Sequence, residues 1–260
     1  MHTLTVRDHP VAYDAFGPNA AHPLLLLHGA GHDRGIWQDV AERLAQAGRR
    51  VITPDLPAHG DSGGDACPSI DAMADWVLAF ADALGLNVFD LGGHSMGSLV
   101  ALAAADAAPG RVGHLILIGS LAPMPVAPFV LDAARNDPPQ AHALINKFSF
   151  APAERIGDAR RQALETANLA RLQRNGAAVL ASDLGACDAW QDGLAAARRR
   201  VGRSLLVCGE VDRMTPVKAV APLLEALQAT GDAHLVVLPG CGHGMLEEDP
   251  AAVVQALLAG

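Results

Sequence analysis

Cysteine is scarce in this chain. Cys67, Cys187, Cys208 and Cys241 are widely scattered and form no C-x-x-C pair. That pattern excludes a zinc ribbon or a disulfide framework and points to a reduced, cytoplasmic setting. Cys208 and Cys241 fall at the ends of predicted strands, in no motif that would activate a thiolate. Positive charge is also short, with 19 Lys and Arg against 28 Asp and Glu and a formal net charge of -9. A balance of that sign argues against nucleic acid or an anionic membrane as partner, since both select a basic face. Arg198, Arg199, Arg200 and Arg203 cluster before an apolar strand and read as a solvated helix end. No apolar run reaches the roughly 18 residues of a membrane span, and "MHTLTVRDHP" lacks the pattern of a secretion signal. P-loop, G-x-G-x-x-G and H-E-x-x-H patterns are missing, so neither a metal nor an organic cofactor is expected.

What is present is apolar and regular. The 260 residues are 50% hydrophobic, with a mean hydropathy of +0.21, enough for one large core. "HTLTVRD" and "PVAYDAF" read as a hairpin. Six further runs of strand length follow: "PLLLLHG", "RVITPDL", "VFDLGGH", "HLILIGS", "SLLVCGE" and "HLVVLPG". Near-continuous apolar strands imply burial on both faces, as in a parallel sheet. Helical patterns at 36–48, 69–85, 97–108, 217–229 and 250–259 alternate with them. The expectation is an α/β fold with a doubly wound, mostly parallel sheet. Residues 122–200 contain no convincing strand and read as a helical insertion. It divides the core into 1–121 and 201–260 and lies over the C-terminal edge of the sheet.

The run "LGGHSMGSLVALAAA" places a serine between glycines where a strand becomes a helix. Gly93-His94-Ser95-Met96-Gly97 matches G-x-S-x-G, the sharp turn that lifts a nucleophilic hydroxyl above a sheet. Side chains two before and two after would meet the neighbouring strand and helix, which accounts for glycine there. The helix that follows aims its N–H groups at a developing oxyanion.

With "YDAFG", "LLLLHGAG", "VITPDLPAHGDSG", "CGEVDRMTP" and "LPGCGHGMLEEDP" in the same order, the chain resembles the α/β-hydrolase family over nearly its whole length. The resemblance implies the order nucleophile, acid, histidine. Ser95 is then the nucleophile and His243, between Gly242 and Gly244, the base. Asp212 is the orienting acid, with Glu210 its rival. It also implies an oxyanion hole built from the N–H groups of Met96 and Ala30. The side chain of His94 is expected to turn away from the site. His28, His59, Asp55 and Asp61 are expected to support loops. Met124, Phe129, Phe148 and Phe150 read first as ordinary core of a helical cap and second as candidates to line an apolar acyl pocket.

A serine at position 95 sets the chain apart from dehalogenases and epoxide hydrolases of this fold, which carry aspartate there. Ala30 lacks the aromatic ring of peracid-forming relatives, and Ser98 departs from the "SMGG" of many carbon–carbon hydrolases. The reading is a serine hydrolase acting on small or medium carboxylic esters. Lactonase, thioesterase and carbon–carbon hydrolase activities, or a slow-turnover receptor, stand as alternatives.

Overall fold

Each core strand supplies both faces of the sheet with apolar side chains. Along Leu24–Leu27, the side chains of Leu25 and Leu27 join one hydrophobic cluster and those of Leu24 and Leu26 the other. Leu115 and Leu117 alternate with Ile116 and Ile118 in the same way. This period of two, apolar at every position, is what a sheet covered on both sides requires.

The computed structural model describes residues 1–19 and 22–260. Its strands are β1 (His2–Val6), β2 (His9–Phe16), β3 (Leu24–Leu27), β4 (Val51–Pro54), β5 (Phe89–His94), β6 (Val112–Ile118), β7 (Arg203–Gly209) and β8 (Asp232–Leu238). They form one sheet in the order β1-β2-β4-β3-β5-β6-β7-β8. β2 runs antiparallel to β1 and β4, and all other neighbours are parallel. Helices α1 (Gln38–Gln46), α2 (Ile70–Ala83) and α3 (Met96–Ala107) connect the first strands. α2 is bounded as its sequence suggests. The Ser69 hydroxyl accepts from the Ala72 N–H at 3.1 Å, and Gly85 follows the helix at φ +70°.

Between β6 and β7 the described chain is helical: α4 (Pro128–Asn136), α5 (Pro138–Ser149), α6 (Ala153–Ile156), α7 (Asp158–Asn175), α8 (Ala177–Ala189) and α9 (Gly193–Arg199). α4, α5, α7 and α8 share a small core of their own around Val130, Ala141, Ile145, Leu172, Leu180 and Leu184. The chain closes with α10 (Ala221–Gln228), α11 (Met245–Glu248) and α12 (Pro250–Ala259). α2, α3 and α10 cover one face of the sheet; α1 and α12 cover the other.

The basic cluster departs from its expected solvated state at one position. Arg200 is buried, and its guanidinium donates to the Gly113 carbonyl at 2.7 Å, tying the end of the insertion to β6. Arg199 pairs with Asp106 on α3.

Candidate active site

Ser95 sits where β5 ends and α3 begins, at φ +53° and ψ −120°. A non-glycine residue held there is strained by roughly 1–3 kcal/mol, and such strain persists only where the surroundings enforce it. Here the enforcement is visible. A Cβ on Gly97 would lie 2.5 Å from the Leu27 carbonyl oxygen, and one on Gly93 would fall on the carbonyl of Gly97. The Ser95 N–H donates to the Ile118 carbonyl at 2.9 Å, and its own carbonyl accepts from the Ser98 N–H at 2.9 Å. Ser98 Oγ adds a bond to the same carbonyl at 2.5 Å and meets Ser120 Oγ at 2.7 Å.

Asp212 follows β7, and His243 follows β8 in a turn flanked by glycines. Both are buried, and His243 Nδ1 donates to Asp212 Oδ2 at 2.8 Å. Asp212 Oδ1 accepts from the Met214 and Thr215 N–H groups at 2.8 Å each, and Thr215 Oγ1 donates to Oδ2 at 2.7 Å. Burial opposes ionisation of Asp212. The adjoining His243 and the bonds from Thr215 outweigh burial and hold the carboxyl well below the usual carboxylate range. Glu210 is exposed; it accepts from the Gly240 N–H at 2.8 Å and pairs with Arg155. It therefore braces the end of β8 and does not face His243.

His243 and Ser95 line one cavity. Among the described residues no direct hydrogen bond joins Ser95 Oγ to His243 Nε2, and the bonded partner of the imidazole on its other side is Asp212. β6 ends beside His243 at Gly119 (φ +58°), where a Cβ would stand 3.0 Å from the imidazole Cε1. The loop after β3 closes the other side: a Cβ on Gly29 would lie 3.3 Å from Ser95 Cβ. The N–H groups of Ala30 and Met96 have no bonded partner among the described residues.

The cavity measures about 270 Å³. Met124, Phe129, Phe148 and Phe150, the four apolar candidates, all line it. Their surroundings differ. Phe150 is buried and its ring abuts Gly244, whereas Phe129 stands at the rim, 56% exposed. Phe148 carries the Arg213 guanidinium 4.8 Å over its ring. Among the described residues, no three His, Cys, Asp or Glu side chains are grouped to hold a metal ion.

His94 is placed otherwise than the sequence suggests. Its ring lines the cavity 4.7 Å from that of His243, and Nε2 donates to the His243 carbonyl at 2.8 Å. The strained turn at Ser95 swings the preceding residue toward the histidine loop, and no local pattern encodes that. Burial, together with the adjacent His243, pushes the His94 pKa down to about 3. Thr215 and Glu248 also escape a motif-based reading. Glu248 is buried and accepts from the N–H groups of Gly242 at 2.7 Å and Ala151 at 3.0 Å, bracing the loop before His243. His28 and Asp55 are loop supports. His28 Nε2 accepts from the Leu56 N–H at 3.1 Å, and Asp55 accepts from the N–H groups of Arg34 and Asp61 at 2.7 and 2.8 Å.

A sequence model described as "Alpha/beta hydrolase family" matches residues 24–256. The chain belongs to the alpha/beta hydrolase family. This hydrolase is 32% identical over 265 residues to a pimeloyl-[acyl-carrier protein] methyl ester esterase of Aromatoleum aromaticum, covering 91% of this chain and 98% of that one. It is 30% identical over 239 residues to a 2-hydroxymuconate semialdehyde hydrolase of a Pseudomonas species, covering 86% and 81%. A 109-residue stretch is 43% identical to the acetyltransferase component of an acetoin cleaving system of Pseudomonas putida; it spans 40% of this chain but 28% of that relative. In three dimensions the hydrolase superposes on an enol-lactonase from Burkholderia xenovorans with a TM-score of 0.87, at 20% identity, over 99% of this chain and 98% of the other. No described helix is long and apolar enough to cross a membrane.

Proposed function

We propose that this hydrolase cleaves carboxylic esters of small or medium acyl groups through an acyl-enzyme on Ser95. The observation that carries the reading is the buried Asp212–His243 bond, which fixes the imidazole that shares a cavity with Ser95 on its strained turn. Ser95 Oγ attacks the ester carbon while His243 Nε2 takes its proton. Asp212 fixes the tautomer that leaves Nε2 unprotonated, and it stabilises the cation that forms. The carbonyl oxygen becomes an anion facing the N–H groups of Met96 and Ala30. His243 returns the proton to the leaving alcohol, and water, deprotonated by His243, then releases the acid.

Residues 122–200 act as a cap that supplies the apolar wall and keeps water from the acyl group. A cavity of about 270 Å³ lies just below the range of about 300–1,000 Å³ usual for drug-sized ligands, which supports a small or medium substrate. The four free cysteines support a reduced cytoplasmic location.

A second reading keeps the same three residues and replaces the ester by another carbonyl substrate, and the similarity to a semialdehyde hydrolase favours it. Purified protein assayed on parallel sets of esters, thioesters, lactones and ring-cleavage ketones decides between them. The ester reading expects the highest kcat/KM on a short or medium ester. A ketone preferred over every ester overturns it.

A further inference from the structure

The insertion does more than cover the cavity: it grips the loop that carries Ala30. Gly31, the next residue, has both backbone polar groups bound by insertion side chains. Its N–H donates to Asp183 Oδ2 of α8 at 2.8 Å, and its carbonyl accepts from Asn175 Nδ2, at the end of α7, at 2.9 Å. The fit is steric as well. Gly31 adopts φ +67°, and a Cβ there would stand 2.9 Å from Leu172 Cδ2 and 3.0 Å from Leu180 Cδ1, both on the insertion. One residue further, His32 Nδ1 donates to the Ala30 carbonyl at 2.8 Å, and His32 Nε2 meets the Asn168 side chain of α7 at 2.7 Å.

Asp183 also binds the loop after β4. His59 Nε2 donates to the same Oδ2 at 2.9 Å, and His59 Nδ1 donates to the Pro57 carbonyl at 2.9 Å. Asp183 and His59 are 0% and 1% exposed. Burying such a pair is costly, and hydrophobic residues would pack a helix onto a core without it. Leu180 and Leu184 of the same helix already do so. What the pair adds is position. Two segments more than 120 residues from Asp183 are drawn to one oxygen atom.

We propose that Asp183, assisted by Asn175, is a positioning residue that sets the oxyanion-hole N–H of Ala30 by fixing Gly31, so that the hole is complete only when the insertion is seated. The proposal rests on the assignment of Ala30 and Met96 made above. Donor position decides the stabilisation of the developing anion, and displacements near 1 Å cost about 100-fold. Loss of the Asp183 bond therefore acts on kcat, with little effect on binding of the uncharged ground state.

The test measures kcat per active site, counted by fluorophosphonate titration, together with KM and the Kd of a trifluoromethyl ketone whose serine adduct carries the oxyanion. Ser95→Ala is run in parallel. Asp183→Ala is expected to lower kcat per titrated site about 10- to 100-fold, with KM changed less than about threefold and ketone affinity falling in step with kcat. Asp183→Asn retains an oxygen for the Gly31 N–H and recovers part of the loss. If Asp183→Ala does not fold, Asn175→Ala, at a half-buried site, is read by the same split and is expected to lower kcat about tenfold. Unchanged kcat per titrated site in the variants that fold, with only a lower Tm, overturns the proposal and leaves the pair as structural. Hydrolysis surviving Ser95→Ala overturns instead the reading on which it rests.

Discussion

Asp212 and Glu210 differ by two positions and face different tasks. Asp212 spends four hydrogen bonds on holding His243, Thr215 and the turn, while Glu210 braces β8 from the surface. Asp212→Asn is expected to lower kcat about 10,000-fold, because the amide favours the wrong imidazole tautomer. Glu210→Gln is expected to stay within a few-fold. Steady-state kinetics on one ester checks both, and the reverse order would mean that the acid is Glu210. The depressed pKa of Asp212 fixes its pH window. Its contribution to stability is whole above about pH 3.9, the unfolded value, and is lost only as pH falls toward its lower folded value. Ser95, Asp212 and His243 can be nominated from sequence because each sits in a short pattern that follows its own strand. His94 is not, since its direction follows from the strained dihedrals of the next residue. Asp183 is not either, since its partners are remote in the chain and nothing local marks a buried carboxyl on an apolar helix.

The strands and flanking helices are legible for a related reason. A sheet covered on both sides demands apolar residues at every strand position, and Leu24–Leu27 states that demand plainly. The insertion reads only as a region without strands. α7 buries just Asn168 and Leu172, so its pattern carries little face information from which to place its ends. Its aromatic residues separate two effects that sequence leaves joined. Phe148 lines the cavity under the exposed Arg213, so Phe148→Ala is expected to move the optimum acyl length upward, each added methylene contributing about 0.8 kcal/mol until the space fills. Phe150 is 2% exposed and packed on Gly244. Phe150→Ala is expected to cost about 3–5 kcal/mol of stability. Profiles of kcat/KM against chain length, with denaturant melts beside them, check the pair. Identical profiles in both variants would leave the acyl-pocket reading without support.

At the scale of the molecule, buried histidines of two kinds set the dependence of stability on pH. Burial and neighbouring imidazoles lower the pKa of His28 and His94. The unfolded chain therefore binds protons that the native state refuses as pH falls below about 6.5, and stability falls with it. His59 is shifted the other way. Burial opposes its charge, but the bond to Asp183 and the charge of that residue prevail and raise its pKa. Its contribution is whole below about pH 6.5 and is lost as pH rises through the folded value. Tm is thus expected to peak near neutrality, and His59→Gln to flatten the alkaline limb and, by removing the imidazole that opposes protonation of His28, to soften the acid limb. Thermal melts across pH 5 to 9 check this, and a Tm still rising toward pH 5 would contradict it. The central claim, that one serine of the whole chain carries the chemistry, is tested most directly by intact-protein mass spectrometry after treatment with a fluorophosphonate. One adduct per chain is expected, mapped to the peptide containing Ser95, formed in step with loss of ester hydrolysis and absent from Ser95→Ala. An adduct on another residue, or full hydrolysis with Ser95 labelled, would contradict it.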